Sequence, residues 1–110
     1  MVVDQMSDAE LDRLFQALAD STRRDIVRRV SLAEYSVSGL AALYAMSFAA
    51  VQKHVAVLER ASLVTKEKRG REQLVRGNRD ALQKAQQLLD EYEQAWRQRA
   101  DRMALILAED

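Results

Sequence analysis

A mainly α domain with one small β-hairpin is the fold this sequence predicts, and three observations predict it. Apolar residues recur at helical spacing through most of the 110 residues. Proline and cysteine are absent, and there are only three glycines. The period changes in one stretch only, "LVTKEKRGREQLVR" (63–76), which has β-formers at both ends and Gly70 in its middle. This length suits one domain, so residues 1–110 are read as a single unit. With 48% apolar residues it can fill a modest core.

Each element has its own signal. Ser7 with Glu10 three residues later is capping-box spacing. Leu11, Leu14, Phe15 and Leu18 follow at helical intervals, so the first helix is expected over 7–19. Asp20 caps a second helix with Ile26, Val27 and Val30 on its inner face. "AEYSVS" breaks it. Ser38 is expected to cap a short third helix carrying Leu40 and Leu43. A tight turn at Tyr44-Ala45-Met46 then leads to a fourth helix, capped by Ser47 and running from Phe48 to about Ala61. In the hairpin, glycine suits a positive-φ turn position. Two strands alone are marginal, so the hairpin is expected to pack on the helices.

The last helix, 80–108, is the longest. Leu82, Leu89, Trp96 and Met103 recur every seven residues, and Ala85, Tyr92, Arg99 and Ile106 follow three later. That is a heptad seam with one polar interruption. At 1.5 Å per residue the helix is roughly 43 Å long, against a radius of gyration of ~13 Å for a compact domain of this size. It must project with its stripe uncovered, and a second copy is the simplest cover. Tyr92 and Trp96 are therefore read as interface core rather than as the lining of a ligand pocket. The order of four helices, a hairpin and a fifth helix is a helix-turn-helix followed by a β-wing, a winged helix-turn-helix.

The formal net charge is zero, but its distribution is uneven. Residues 1–20 carry one basic and five acidic side chains and residues 80–110 four and seven, whereas 21–64 carry six and three and 65–79 six and two. A basic middle between acidic ends points to a polyanion, because phosphate binding follows the local field. On the fourth helix Val51, Val55 and Leu58 face the core, while Ala49, Gln52, Lys53, Ala56 and Arg60 face outward. The alanines permit close approach, Gln52 suits adenine, and Lys53 reaches guanine or phosphate. Ser47 and the free N–H groups beside it suit a phosphate. The wing adds Lys66, Lys68, Arg69, Arg71, Arg76 and Arg79, with Arg69 and Arg71 flanking Gly70 at the expected tip. Double-stranded DNA is the expected partner.

"LFQALADSTRRDIVRRV", "SVSGLAALYAMSFAAVQKHVAVLERASLV" and "EKRGREQLVR" resemble the ArsR/SmtB winged-helix repressors, from roughly Leu11 to Trp96. The resemblance implies a dimeric bacterial repressor that pairs through its first and last helices, with Leu11, Phe15, Leu82, Leu89, Tyr92, Trp96, Met103 and Ile106 at the dimer interface. It implies DNA reading by Ser47, Ala49, Ala50, Gln52, Lys53 and His54, with Arg69 and Arg71 on the wing. The cysteine pair that many relatives carry on the third helix is absent from Ser36-Val37-Ser38-Gly39-Leu40-Ala41, and the last helix has no histidine. The resemblance is therefore to the metal-independent branch.

Other readings are weaker. His54, the only histidine, is a poor metal site alone and is expected at the helix edge, bonding a phosphate or a backbone group. Asp90, Glu91 and Glu93 read as an acidic helix face. Arg23, Arg24, Arg28 and Arg29 are expected to be mostly solvated or paired, with some near phosphate. No nucleophilic triad or phosphate loop is suggested, so neither an enzyme nor a cofactor is expected. No apolar run of 18 residues and no basic-then-apolar N-terminus occur, and with cysteine absent a cytoplasmic protein without a membrane span is expected. A protein-interaction module and a non-specific DNA-coating protein are the alternatives. The first should carry exposed aromatics, of which the outer face has none; Gln52 and Lys53 argue against the second. Any effector is expected to be an organic ligand or a partner protein between the terminal helices.

Overall fold

A computed structural model describes residues 6–109. Among them lie α1 (Asp8–Leu18), α2 (Ser21–Leu32), β1 (Tyr35–Ser36), α3 (Val37–Ala41), α4 (Phe48–Arg60), β2 (Val64–Arg69), β3 (Glu72–Gly77) and α5 (Arg79–Ala108). This is the expected winged helix-turn-helix order with one added strand.

Side-chain caps set the helix starts. Ser7 and Glu10 close the capping box, each side chain accepting the other's N–H at 3.2 Å. Asp20 accepts from the Arg23 N–H at 3.0 Å and Ser47 from the Ala50 N–H at 3.1 Å. Each satisfies a donor that helix geometry leaves free. The third helix departs from expectation. Ser36, not Ser38, is its cap, accepting from the Gly39 N–H at 2.9 Å. The helix ends at Ala41, so Leu43 lies exposed in the turn beyond it. The cause is β1: Ser36 leaves a strand with the extended backbone that a cap requires.

The sheet has order β1-β3-β2 and is antiparallel throughout. Tyr35 pairs with Val75 and Ser36 with Leu74, so the expected two-stranded hairpin gains a third strand that covers β3. β2 and β3 pair from Val64↔Gly77 to Arg69↔Glu72, leaving Gly70 and Arg71 as a two-residue turn. Gly70 has φ +64°. Positive φ at the first central position only is the type II′ pattern, whose twist matches the strands.

One core joins the elements. Leu14 and Ala17 of α1, Ile26, Val27 and Val30 of α2, and Val37 and Leu40 of α3 meet Val51, Val55 and Leu58 of α4. Leu63, Val64 and Val75 bring in the wing, and Ala81 and Ala85 the start of α5. Beyond that start α5 leaves the globule: every described residue from Leu89 onward is exposed. The principal extents are 71 × 36 × 23 Å and the radius of gyration is 18.8 Å, well above the ~13 Å of a compact domain. Phe15, Leu89, Tyr92, Trp96, Met103 and Ile106 are exposed, with Trp96 at 79%. Leu11 is half-buried, and Leu82 packs against the chain's own core.

The exit from α4 is a Schellman turn. Ser62 has φ +62°, its N–H donates to the Glu59 carbonyl at 3.0 Å, and the Leu63 N–H donates to the Leu58 carbonyl at 3.0 Å. Asn78, the cap of α5, donates its side-chain amide to the Ser62 carbonyl at 2.8 Å. One turn therefore holds the end of α4, the root of the wing and the start of α5. Ser62 bears the left-handed penalty that glycine escapes. Ser62→Gly is expected to stabilise the fold by up to about 1 kcal/mol. Leu58→Ala, which empties a fully buried site, is expected to cost about 2–5 kcal/mol. Denaturant unfolding of both variants measures these shifts; a destabilised Ser62→Gly would show that the serine side chain contributes to the turn.

Candidate nucleic-acid interface

α4 is positioned by its buried face. Val51, Val55 and Leu58 lie at i, i+4 and i+7 in the core. Ala49, Gln52, Lys53 and Arg60 are consequently exposed on the other side, with Ala56 and Ala50 half-buried. Ser47 is exposed at the N-terminus, its hydroxyl oxygen engaged as the cap. The structure brings Ser47, Ala49, Gln52 and Lys53 to the open N-terminal end of the helix, while Arg60 stands at its far, C-terminal end.

His54 is turned away from that group. It is half-buried, and its Nδ1 lies 3.3 Å from Arg23 Nη1 and 3.9 Å from Asp20 Oδ2. A guanidinium only donates, so Nδ1 accepts. Within the chain its partner is a side chain of α2 rather than a backbone group. Arg23 also donates from Nε to the Ala17 carbonyl at 2.7 Å and from Nη2 to the Gln16 carbonyl at 3.1 Å. Arg24 donates to the Leu18 carbonyl at 2.7 Å. Both arginines cap α1, Arg23 half-buried and Arg24 from the exposed surface. The last turn of α1 has no basic residue of its own, a signal that its free carbonyls need a donor from elsewhere.

The turn before α4 is held from α2 as well. Tyr44 donates its hydroxyl to Asp25 Oδ2 at 2.6 Å, and Arg29 Nε donates to the same oxygen at 2.8 Å. The Arg29 guanidinium also lies 6.0 Å from the Tyr44 ring centroid. The Tyr44 hydroxyl first, then Arg29, holds the Asp25 carboxyl down at about 2. Burial and the hydrogen bond to Asp25 push Tyr44 up to about 12. Asp25 raises the Arg29 guanidinium further still.

The wing is tied to α4 through Lys66 and Glu59, 3.3 Å apart. Its remaining cations divide into two groups. Arg76 meets Glu34 at 2.9 Å and Glu67 at 3.2 Å, and Arg69 lies 3.7 Å from Glu67 and 3.9 Å from Glu34. Among the described residues Lys68 and Arg71 make no ion pair. Arg71 occupies the turn itself, while Arg69 ends β2 opposite Glu72. The two arginines expected together at the tip therefore differ: Arg71 is unpaired and Arg69 has carboxylates for company. Such surface pairs are worth only about 0–1 kcal/mol, so Arg69 can exchange a carboxylate for a phosphate.

One exposed residue was not foreseen. Phe48, the first residue of α4, is 46% exposed, so the outer surface does carry an aromatic. Periodicity missed it because a first-turn side chain has no preceding turn to pack on. A cavity of about 200 Å³ lies between α1 and α5, lined by Met6, Asp8, Leu11, Lys84, Gln87, Leu88 and Glu91. It falls below the ~300–1,000 Å³ of common ligand pockets. No group of three or more metal-ligating side chains occurs among the described residues. No helix among them is long and apolar enough to cross a membrane.

The family model described as "Bacterial regulatory protein, arsR family" matches residues 20–66, from the cap of α2 into β2. The HTH-type transcriptional regulator Rv2034 of Mycobacterium tuberculosis is 47% identical over 53 residues, which are 48% of this chain and 50% of that protein. That match spans about half the length of the curated relative. An ArsR-like transcriptional regulator from Rhodococcus sp. RHA1 is 34% identical over 93% of this chain and 95% of its own, with a TM-score of 0.77. The homodimeric winged helix-turn-helix DNA-binding domain of Mb0332 from Mycobacterium bovis, 20% identical, shares the fold over 84% of this chain and 91% of its own, with a TM-score of 0.64.

The Tyr44–Asp25 contact has a pH signature. Folding lowers the Asp25 carboxyl from 3.8 to about 2. Its contribution to stability is thus complete above about pH 4 and is lost as pH falls through about 2. Tyr44→Phe removes the main cause of that lowering. Asp25 is expected to titrate higher in this variant, and acid unfolding is expected to begin at a higher pH. Carboxyl NMR titration measures the first and circular dichroism the second; an unchanged Asp25 titration would rule out the hydrogen bond in solution.

Proposed function

The chain belongs to the ArsR family of bacterial regulatory proteins, and we propose that it acts as a homodimeric repressor that reads a DNA operator without a bound metal. The observation that carries this reading is the exposed outer face of α4 together with a wing tip that makes no ion pair among the described residues. Ala49 and Gln52 are exposed with nothing of their own chain on them, Lys53 adds a free cation, and Lys68 and Arg71 stand free on the wing that Lys66 fastens to α4. Base edges and flanking phosphates ask for that combination. The exposed Phe48 favours the runner-up, a protein-interaction module, but Lys53 near it and the free cations of the wing favour an anionic partner. The exposed stripe of α5 supports pairing with a second copy, and the homodimeric fold relative is consistent with it. The small α1–α5 cavity gives an organic effector little room within one chain, so an effector site there would need walls from the second copy.

Reader and gripper separate by mutation. Gln52→Ala is expected to cost about 1–3 kcal/mol on the operator and little on scrambled duplex. Arg71→Ala is expected to weaken both and to reduce the salt slope by about one unit per lost phosphate contact. Binding isotherms at several salt concentrations measure both; equal losses on the two duplexes for Gln52→Ala would remove α4 as the base reader.

Light scattering at micromolar concentration is expected to give twice the chain mass, and Trp96→Ala to lower dimer and DNA affinity together. A monomer mass for the unmodified chain would overturn the dimer. Stoichiometric zinc, nickel or arsenite is expected to leave the DNA complex intact; release by any of them would overturn metal independence.

A further inference from the structure

We propose that Phe48 is a specificity-determining residue that recognises the C5-methyl group of a thymine. The inference rests on the reading of α4 as the DNA-facing helix and names a contact that reading does not contain. Phe48 follows the cap Ser47 directly, at the end of the helix that enters a major groove in helix-turn-helix docking. Its ring is 46% exposed and does not stand alone, because Leu43, Ala45 and Ala49 are exposed around the same end. A single surface phenylalanine needs no explanation. An apolar cluster ringed by Gln52, Lys53 and a helix N-terminus does, since that surface otherwise suits an anion.

The chemistry narrows the occupant. Across the major groove all four base pairs present donors and acceptors, and thymine alone adds an exposed methyl. Duplex DNA is thus an anionic partner that also offers a discrete apolar contact. Phe48 and Gln52 stand at i and i+4, on one flank of the helix. Gln52 suits the N6 and N7 edge of adenine, the base opposite thymine. The two side chains therefore fit one A·T pair or two neighbouring ones, Gln52 taking the polar edge and Phe48 the methyl. Glu59, on the same flank but in the last turn at the opposite end of the helix, is engaged by Lys66, so the wing is fastened along this flank at its C-terminal end.

The test begins by selecting bound duplexes from a randomised pool with the full chain. Each thymine of the selected site is then replaced singly by deoxyuridine, which deletes only the methyl. One thymine per half-site is expected to lose about fourfold in affinity, the equivalent of about 0.8 kcal/mol for one buried methyl. In Phe48→Ala that position is expected to bind thymine and uracil equally, while Phe48→Leu keeps part of the preference. Both variants should retain the unfolding midpoint of the parent, because the side chain lies outside the core. If no thymine responds, or if the response persists in Phe48→Ala, the proposal is overturned. If the pool yields no preferred sequence, the DNA-reading function fails with it; if Gln52→Ala loses discrimination while Phe48→Ala does not, only the role of Phe48 is lost.

Discussion

The burial of Val51, Val55 and Leu58 is the constraint on which the rest of this molecule depends. A 13-residue helix is marginal in water on its own, so α4 exists because that seam is held by α1, α2, α3 and the sheet. Burying one face also fixes what the opposite face shows. Three polar contacts then stop the helix from rolling: His54 to Arg23 at α2, Tyr44 to Asp25 before the helix, and Glu59 to Lys66 at the wing. Individually they are weak. Together they lock the rotation of a cylinder whose apolar seam alone would tolerate small turns about its axis.

Charge is organised by the same economy. The chain is neutral overall, yet its cations are not equally available. Arg23, Arg24 and Arg29 are engaged on helix ends and on Asp25, and Arg28 adds a longer surface contact to Asp25 at 3.5 Å. Arg76 is held by Glu34 and Glu67. Among the described residues the cations with neither an ion pair nor a side-chain hydrogen bond are Lys53, Arg60, Lys68 and Arg71 on α4 and the wing, together with Arg13 on α1 and Arg79, Arg99 and Arg102 on α5. A field built from a few unpaired groups is smaller than a charge count suggests, but it is directional.

Much of the fold was legible because its signals are local and periodic. The capping box at Ser7 and Glu10, the caps at Asp20 and Ser47, and the core faces of α2 and α4 are visible as spacing. The heptad stripe of α5 and its length are visible in the same way. What stayed hidden had no period. β1 is two residues long and forms only because β3 has a free edge, so Ser36 rather than Ser38 became the cap of α3. The division between Arg69 and Arg71 rests on Glu67 and also on Glu34, which lies 35 positions before Arg69. Arg23 reaches two other helices, a contact set only the packed structure can assemble. Phe48 was hidden because outward exposure in a first turn leaves no mark on a helical wheel.

The projecting half of α5 has a consequence for the life of the chain. From Leu89 to Ala108 the helix has no tertiary support among the described residues. About 20 residues of unsupported helix lie near the margin of stability in water. A chain whose stripe is uncovered frays there and offers Arg97, Arg99 and Arg102 to proteases that cut after basic residues. Covering the stripe removes that vulnerability. In the proposed dimer the extension would thus mark single chains, which a protease would cut before paired ones.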